Sequence, residues 1–255
     1  MTEKPHLSFS QINMFLRCPR QWEYRYVKGI KIPPGSALFQ GKVWHETIEN
    51  NYRQKIETRE DLPLDHQLDY YVTTFDKKIK EEEVAWEEGQ TPDKLKDEGV
   101  NITEVQHKVI APTVFPVEVE KKFNLGLGDN FPFTLLGFWD CIDEDNIIID
   151  NKSYGKTPNQ DAVDKDLQLT AYATSYRLLN QKNENGLRLD CVIKTKTPKA
   201  VQLSTQRTKQ ECQWFLNLVE TVGYAIKSGI FYPNPTGFMC SPKWCGYWNM
   251  CKEKI

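Results

Sequence analysis

Apolar and polar positions fall into blocks of different period along the chain. Ile12, Phe15 and Leu16 share one helical face, and Ser8 or Ser10 ahead of them can cap a helix. Pro19 starts a further turn or helix through Trp22 and Tyr26. Ile32-Pro33-Pro34-Gly35-Ser36 breaks the chain. Val43, Trp44, Ile48 and Tyr52 then predict a helix over about 38–56. Residues 57–110 are polar and charged, with Glu81-Glu82-Glu83 and the pair Glu87-Glu88. They read as helices with solvated faces, broken near Thr91-Pro92.

The period then switches to two. Val117, Val119 and Lys121 alternate with Glu118 and Glu120, which predicts a strand over 114–123. A second strand is expected over 133–142, a turn at 143–146, and a third strand from Ile147-Ile148-Ile149, apolar on both faces. A helix follows over 162–179, two strands over 188–194 and 201–205, and a long helix over 209–228. The tail from Tyr232 has no regular period. This order predicts an α/β fold, a small mixed sheet flanked by helices. It is expected as one domain over 1–255. Its parts are N-terminal helices (7–56), a charged helical insertion (57–110), an α/β core (113–230) and a cysteine-bearing tail (231–255).

Charge narrows the function classes. With 33 Lys and Arg against 35 Asp and Glu, the net charge of −2 excludes a histone-like basic binder. It leaves room for a nuclease, in which clustered carboxylates offset a local basic groove. No apolar run approaches the ~20 residues of a membrane span. Met1 to Pro5 lacks the apolar core of a secretory signal. Together with an odd count of seven cysteines, this predicts a cytoplasmic protein without a disulfide framework. Cys141, Cys191 and Cys212 are expected as core thiols, whereas Cys240, Cys245 and Cys251 crowd the tail.

The candidate chemistry starts at Gly137-Phe138-Trp139-Asp140 and Asp150-Asn151-Lys152. Residues two apart in a strand face the same way, so Asp150 and Lys152 project together. The turn at 143–146 folds the strands antiparallel and sets Asp140 opposite Ile149 or Asp150. Two adjacent carboxylates repel unless a cation intervenes, and Mg²⁺ prefers oxygen ligands. Lys152 can orient or deprotonate a water, or stabilise charge on a phosphate. Gly41, His45 and Glu49 form one helical stripe; His45 can bind metal, and Gly41 permits close backbone approach. Gln168 and Tyr172, four apart, can hydrogen-bond a phosphate or the attacking water.

Gly41-x-x-x-His45, Gly137-x-x-Asp140, Asp150-x-Lys152 and Gln168-x-x-x-Tyr172, in that order, resemble the motif set of the PD-(D/E)xK nuclease superfamily. Leu7-Ser8-x-Ser10, Phe15-x-x-Cys18-Pro19 and Tyr24 resemble its RecB/AddB-like branch, which includes CRISPR-adaptation and phage exonucleases. The resemblance runs from about residue 7 to 251. It implies a restriction-endonuclease-like core and a Mg²⁺- or Mn²⁺-dependent DNA exonuclease of DNA processing, recombination or repair. Asp140, Asp150 and Lys152 would be catalytic. His45, Asp140, Asp150 and the Asn151 backbone carbonyl would hold the metal. Gln168 and Tyr172 would line the nucleic-acid side, and Glu120 is a candidate accessory carboxylate. DNA ends or single strands would be the substrate, with a helicase or recombination protein as a candidate partner.

Four thiols, Cys18, Cys240, Cys245 and Cys251, suit a tetrahedral Zn²⁺ or a [4Fe–4S] cluster. The resemblance implies the iron–sulfur cluster, stapling the two ends of the nuclease domain. The interval from Cys240 to Cys245 is longer than that branch's usual one. Two other functions compete: a non-catalytic iron–sulfur DNA-binding scaffold, and a zinc-stapled RNA-processing nuclease.

Overall fold

The computed structural model describes residues 4–252. Met1–Glu3, within the stretch that lacks a signal core, and Glu253–Ile255, at the end of the expected tail, lie outside them. The described residues form two compact units. One comprises the chain through Ile32, Lys122–Gly137 and everything from Lys209; the other comprises Pro33–Lys121 and Phe138–Thr208.

In the first unit, β1 (His6–Ser8) pairs in parallel with the start of β3 (Thr134–Asp143), Leu7 opposite Leu135. Helix α1 (Phe9–Arg17) follows at once, because the Ser8 side chain accepts from Gln11 N and stops the strand. Ile12 and Phe15 of α1 are buried, whereas Leu16, expected on the same face, is exposed. Pro19 opens α2 (Pro19–Trp22), which runs into a wider turn over Glu23–Val27. Helix α8 (Lys209–Lys227) lies against α1. The tail is less irregular than its sequence suggests, since α9 (Trp248–Lys252) closes it. Tyr24, Cys245 and Tyr247 form its small core, joined by Ile30, Ile32 and Trp248.

The second unit holds the larger core. Helices α3 (Ser36–Thr58), α4 (Leu64–Glu81) and α5 (Pro92–Val105) pack together. Tyr71, Phe75, Leu95, Ile102 and Ile110 of the charged insertion join Phe39, Val43, Trp44, Ile48 and Tyr52 of α3 in one buried cluster. The insertion thus presents a solvated face and also builds the core. Strand β4 (Ile147–Tyr154) pairs antiparallel with β3 and parallel with β5 (Gly186–Ile193), and β6 (Lys199–Thr205) closes antiparallel on β5. Strand β2 (Pro116–Gly126) pairs with β3. No helix of the described residues is long and apolar enough to cross a membrane.

Two local departures from the expected elements shape the region around β4. The helix expected over 162–179 is two helices, α6 (Gln160–Asp164) and α7 (Leu167–Asn180). Asp166 divides them by accepting from Leu169 N, a capping bond that starts α7 afresh. The regular alternation expected in β2 also fails. Pro116, Val119, Phe123 and Leu125 are buried while Val117 and Lys121 are exposed, and Glu120 between them has φ +47°, in the left-handed region.

Helices cover both faces of the sheet. Ile149 packs with Val43, Trp44 and Ile48 of α3, while Asp150 bonds to Gln168 of α7. Neighbours on a strand point to opposite faces, so α3 and α7 flank β4 from two sides.

Gly137 has a steric reason to be glycine. A β-carbon there would stand 2.3 Å from the ring of Phe123 on the paired strand. Gly137→Ala must displace that buried ring and should cost about 1–3 kcal/mol, read as a lower urea midpoint with an unchanged slope.

Candidate active site

The site forms where β3 and β4 part. Their register runs Ile142 opposite Ile148 and Cys141 opposite Ile149, which brings Asp140 level with Asp150. There the ladder bond is replaced by a side chain: Asn151 N donates to Asp140 Oδ2 at 3.2 Å. The carboxylate of Asp140 therefore sits in the opening between the strands, within reach of both helices. From α3, His45 Nδ1 lies 3.4 Å from Oδ2. From α7, Tyr172 Oη donates to Oδ1 at 2.7 Å.

Asp150 is fully buried. Its Oδ1 accepts from Lys152 Nζ at 2.9 Å and from Gln168 Nε2 at 3.0 Å. Gln168 Nε2 also donates to Tyr172 Oη at 2.9 Å. The α7 pair thus ties the two carboxylates together, and the capping bond at Asp166 fixes where that pair falls. Asp150 Oδ2 is buried with no hydrogen-bond partner among the described residues. An unsatisfied buried carboxylate oxygen is costly, and it is the atom a cation would complete.

Glu120 enters from β2. One ligand atom each from His45, Glu120 and Asp140 lie within 4.8 Å of one another, the one such group among the described residues. Glu120 joins it from a left-handed backbone, φ +47°. These three residues, Glu49 and Asn151 line a cavity of about 10 Å³, room for no more than a small ion or a single water. The Asn151 Oδ1, buried in that lining, also lacks a hydrogen-bond partner among the described residues. The sequence suggested only this residue's backbone carbonyl, and nothing in a lone Asn between Asp150 and Lys152 marks its side chain. Glu49 was readable on the His45 stripe but not as a neighbour of Glu120, because the two lie on elements far apart in the sequence, α3 and β2. Gly41 on the same stripe faces open space, since a β-carbon there would meet nothing within 4 Å.

The charges are strongly interdependent. Burial pushes Asp150 well above the usual carboxylate range, helped by Asp140 and opposed by Lys152. Burial also acts on Asp140, but His45, Lys152 and the bonds from Tyr172 and Asn151 outweigh it and hold the group low. Burial works against a charged Lys152, yet Asp150 and Asp140 keep its ammonium above the ordinary lysine value. Burial lowers the His45 imidazole, opposed by Asp140. For Glu120, burial and then Asp140 and Glu49 raise the carboxyl to about 7.

The four cysteines singled out in the sequence lie elsewhere. Cys18, Cys240, Cys245 and Cys251 all line one cavity of about 530 Å³ in the first unit. Asn234 N lies 3.4 Å from Cys18 Sγ, and Gln21 Nε2 lies 3.2 Å from Cys245 Sγ. No three cysteine sulfurs come within 4.8 Å of one another among the described residues. Cys141, Cys191 and Cys212 are buried, and none of the seven is in a disulfide.

Comparison with known proteins settles the family. The model of the PD-(D/E)XK nuclease superfamily matches residues 6–252. The chain belongs to the PD-(D/E)XK nuclease superfamily. Membership implies a hydrolase acting on phosphodiester bonds of nucleic acid, a class that typically uses Mg²⁺ or Mn²⁺. No curated protein matches the chain. Among solved structures, a "Putative exonuclease" from Eubacterium rectale is 12% identical, with a TM-score of 0.56, covering 96% of this chain and 87% of that one. The structure of SSO0001 is 12% identical, with a TM-score of 0.44, covering 100% and 89%. At these identities the likeness to the Eubacterium rectale protein is one of fold.

The Glu120 carboxyl gives the site a pH signature. The folded chain holds it protonated up to about pH 7, whereas an unfolded glutamate titrates near about 4.3. Folding therefore takes up a proton between those values, and stability falls as pH rises through the interval. Glu120→Gln should unfold at a progressively higher temperature than the parent chain as metal-free samples go from pH 5 to pH 8. A constant offset across that range would contradict the assignment.

Proposed function

We propose that this superfamily member is a Mg²⁺- or Mn²⁺-dependent DNA nuclease, acting as an exonuclease in DNA processing, recombination or repair. One observation carries the reading: Asp140 in the strand opening, beside His45 and level with a buried Asp150 whose Oδ2 has no partner. The name of the Eubacterium rectale protein supports the exonuclease assignment.

The donor set suits a hard divalent cation, with carboxylate oxygens, one imidazole and an orphaned buried oxygen. His45, Asp140, Asp150 and the Asn151 backbone carbonyl would hold it, with Glu120 as an accessory carboxylate. When bound, such a cation supplies charge that polarises a phosphoryl oxygen and acidifies a coordinated water. The remaining roles belong to the chain. Lys152, kept protonated by Asp150 and Asp140, offers a fixed ammonium to the phosphate on which negative charge grows. Gln168 and Tyr172 act as positioning residues. Their bonds to Asp150 and Asp140 hold both carboxylates in place before substrate arrives.

The RecB/AddB-like reading extends to the cysteines. A tetrahedral Zn²⁺ with Zn–S near about 2.3 Å draws its sulfurs within about 4 Å of one another. Four thiols around one cavity could hold either that ion or an iron–sulfur cluster, and the resemblance to that branch favours the cluster. A [4Fe–4S] cluster held by Cys18, Cys240, Cys245 and Cys251 is the reading we adopt. Purification without air should give a brown protein with about four irons per chain. Cys18→Ser should lose the colour and much of the stability, and stoichiometric zinc in place of iron would refute the cluster.

Two kinetic outcomes test the site. Lys152→Ala should lower Mg²⁺-dependent cleavage of end-labelled DNA by about 10²–10³-fold. Undiminished cutting by that variant would remove the mechanism. Tyr172→Phe should instead raise the Mg²⁺ needed for half-maximal rate by about 10–100-fold, with a smaller effect at saturating metal.

A further inference from the structure

Strands β4 and β5 run parallel and in register to their carboxyl ends, Tyr154 opposite Ile193. Both leave the sheet through the same triplet. Lys156-Thr157-Pro158 begins two residues beyond Tyr154, and Lys196-Thr197-Pro198 begins three residues beyond Ile193. The exits are tied together, because Lys194 N donates to Tyr154 O at 2.7 Å. The second turn closes on itself, Thr195 Oγ1 donating to Thr197 O at 2.7 Å. Lys156, Thr157, Lys196 and Thr197 are all exposed.

The charges at these turns are uncompensated. Neither Lys156 nor Lys196 forms an ion pair among the described residues, whereas Lys165 and Lys194 nearby are paired with Asp161 and Glu98. Lys199, opposite Ile193 at the start of β6, is exposed and also forms no ion pair among the described residues, so three free ammoniums gather at this end of the sheet. In open α/β sheets, ligands gather outside the carboxyl ends of the strands. Lys152 lies at that same end of β4. Four residues span at most about 14 Å, so Lys156 stands within about four nucleotide steps of it, at about 3.4 Å per step.

We propose that the twin Lys-Thr-Pro turns form a phosphate rail that grips the DNA backbone beside the scissile bond. The inference rests on the nuclease reading and adds to it where the strand runs. Each proline fixes its backbone φ, which stiffens the turn that presents the lysine. Lysine is a point charge without base-specific geometry, so the rail binds DNA of any sequence.

The test measures binding without cleavage. Fluorescence anisotropy with a labelled oligonucleotide, Ca²⁺ replacing Mg²⁺, gives the salt dependence of affinity between about 50 and 200 mM. The double variant Lys156→Ala/Lys196→Ala should reduce the slope of log K against log salt by about 1.4 on single strands or about 1.8 on duplex. Across that range the parent chain then loses about sevenfold to twelvefold more affinity than the variant. Lys77→Ala/Lys80→Ala, removing two exposed charges from α4, is the control and should leave the slope unchanged. An unchanged slope in the first variant, or an equal change in both, overturns the rail. If the parent chain binds and cuts DNA while the first variant keeps the parent slope, the rail alone fails. If the parent chain neither binds nor cuts, the nuclease reading fails with it.

Discussion

The contact between Asp140 Oδ2 and the Asn151 amide governs the site. It does a backbone carbonyl's work with a side chain, and so lets β3 and β4 separate without leaving that N–H unpaired. Without the separation, Asp140 would be confined to one face of the sheet. With it, one carboxylate meets His45 from α3 and Tyr172 from α7 at once. Two helices on opposite faces thereby converge on a single group. The pairing beyond that point, Cys141 with Ile149 and Ile142 with Ile148, anchors the opening in apolar core.

Asp150 shows what that geometry costs. A fully buried carboxylate is expensive to desolvate, and Lys152 and Gln168 satisfy only one of its oxygens. The other is left without a partner among the described residues. Proteins seldom carry such a group unless something else completes it. The left-handed backbone at Glu120, which brings a third acid to an already negative place, is a second local cost. Both costs fall at one point of the sheet, where a divalent cation would complete the orphaned oxygen and neutralise the clustered acids.

Much of this was legible in the sequence, and the limits have physical causes. The 3.6-residue pattern of Val43, Trp44, Ile48 and Tyr52 identified α3 because all four face one core. The turn after Asp143 was readable from its polar residues and set Asp140 opposite Ile149 or Asp150; the register of the paired strands decides for Asp150. The spacing of Gln168 and Tyr172 was visible, but not that both reach carboxylates rather than solvent. That depends on Asp166 restarting the helix, a capping bond that periodicity does not report. The role of Tyr71, Phe75 and Ile102 was hidden because charged neighbours dilute the apolar signal along the insertion. The left-handed residue in β2 was invisible too, since nothing marks a glutamate for φ +47°.

The most direct measurement of the central claim is anomalous diffraction from crystals soaked in Mn²⁺. The account predicts a peak in the opening between β3 and β4, contacting His45, Asp140 and the Asn151 carbonyl, with Asp150 Oδ2 turned toward it. A saturated crystal with no peak there, or with manganese bound only by carboxylates elsewhere, would contradict it.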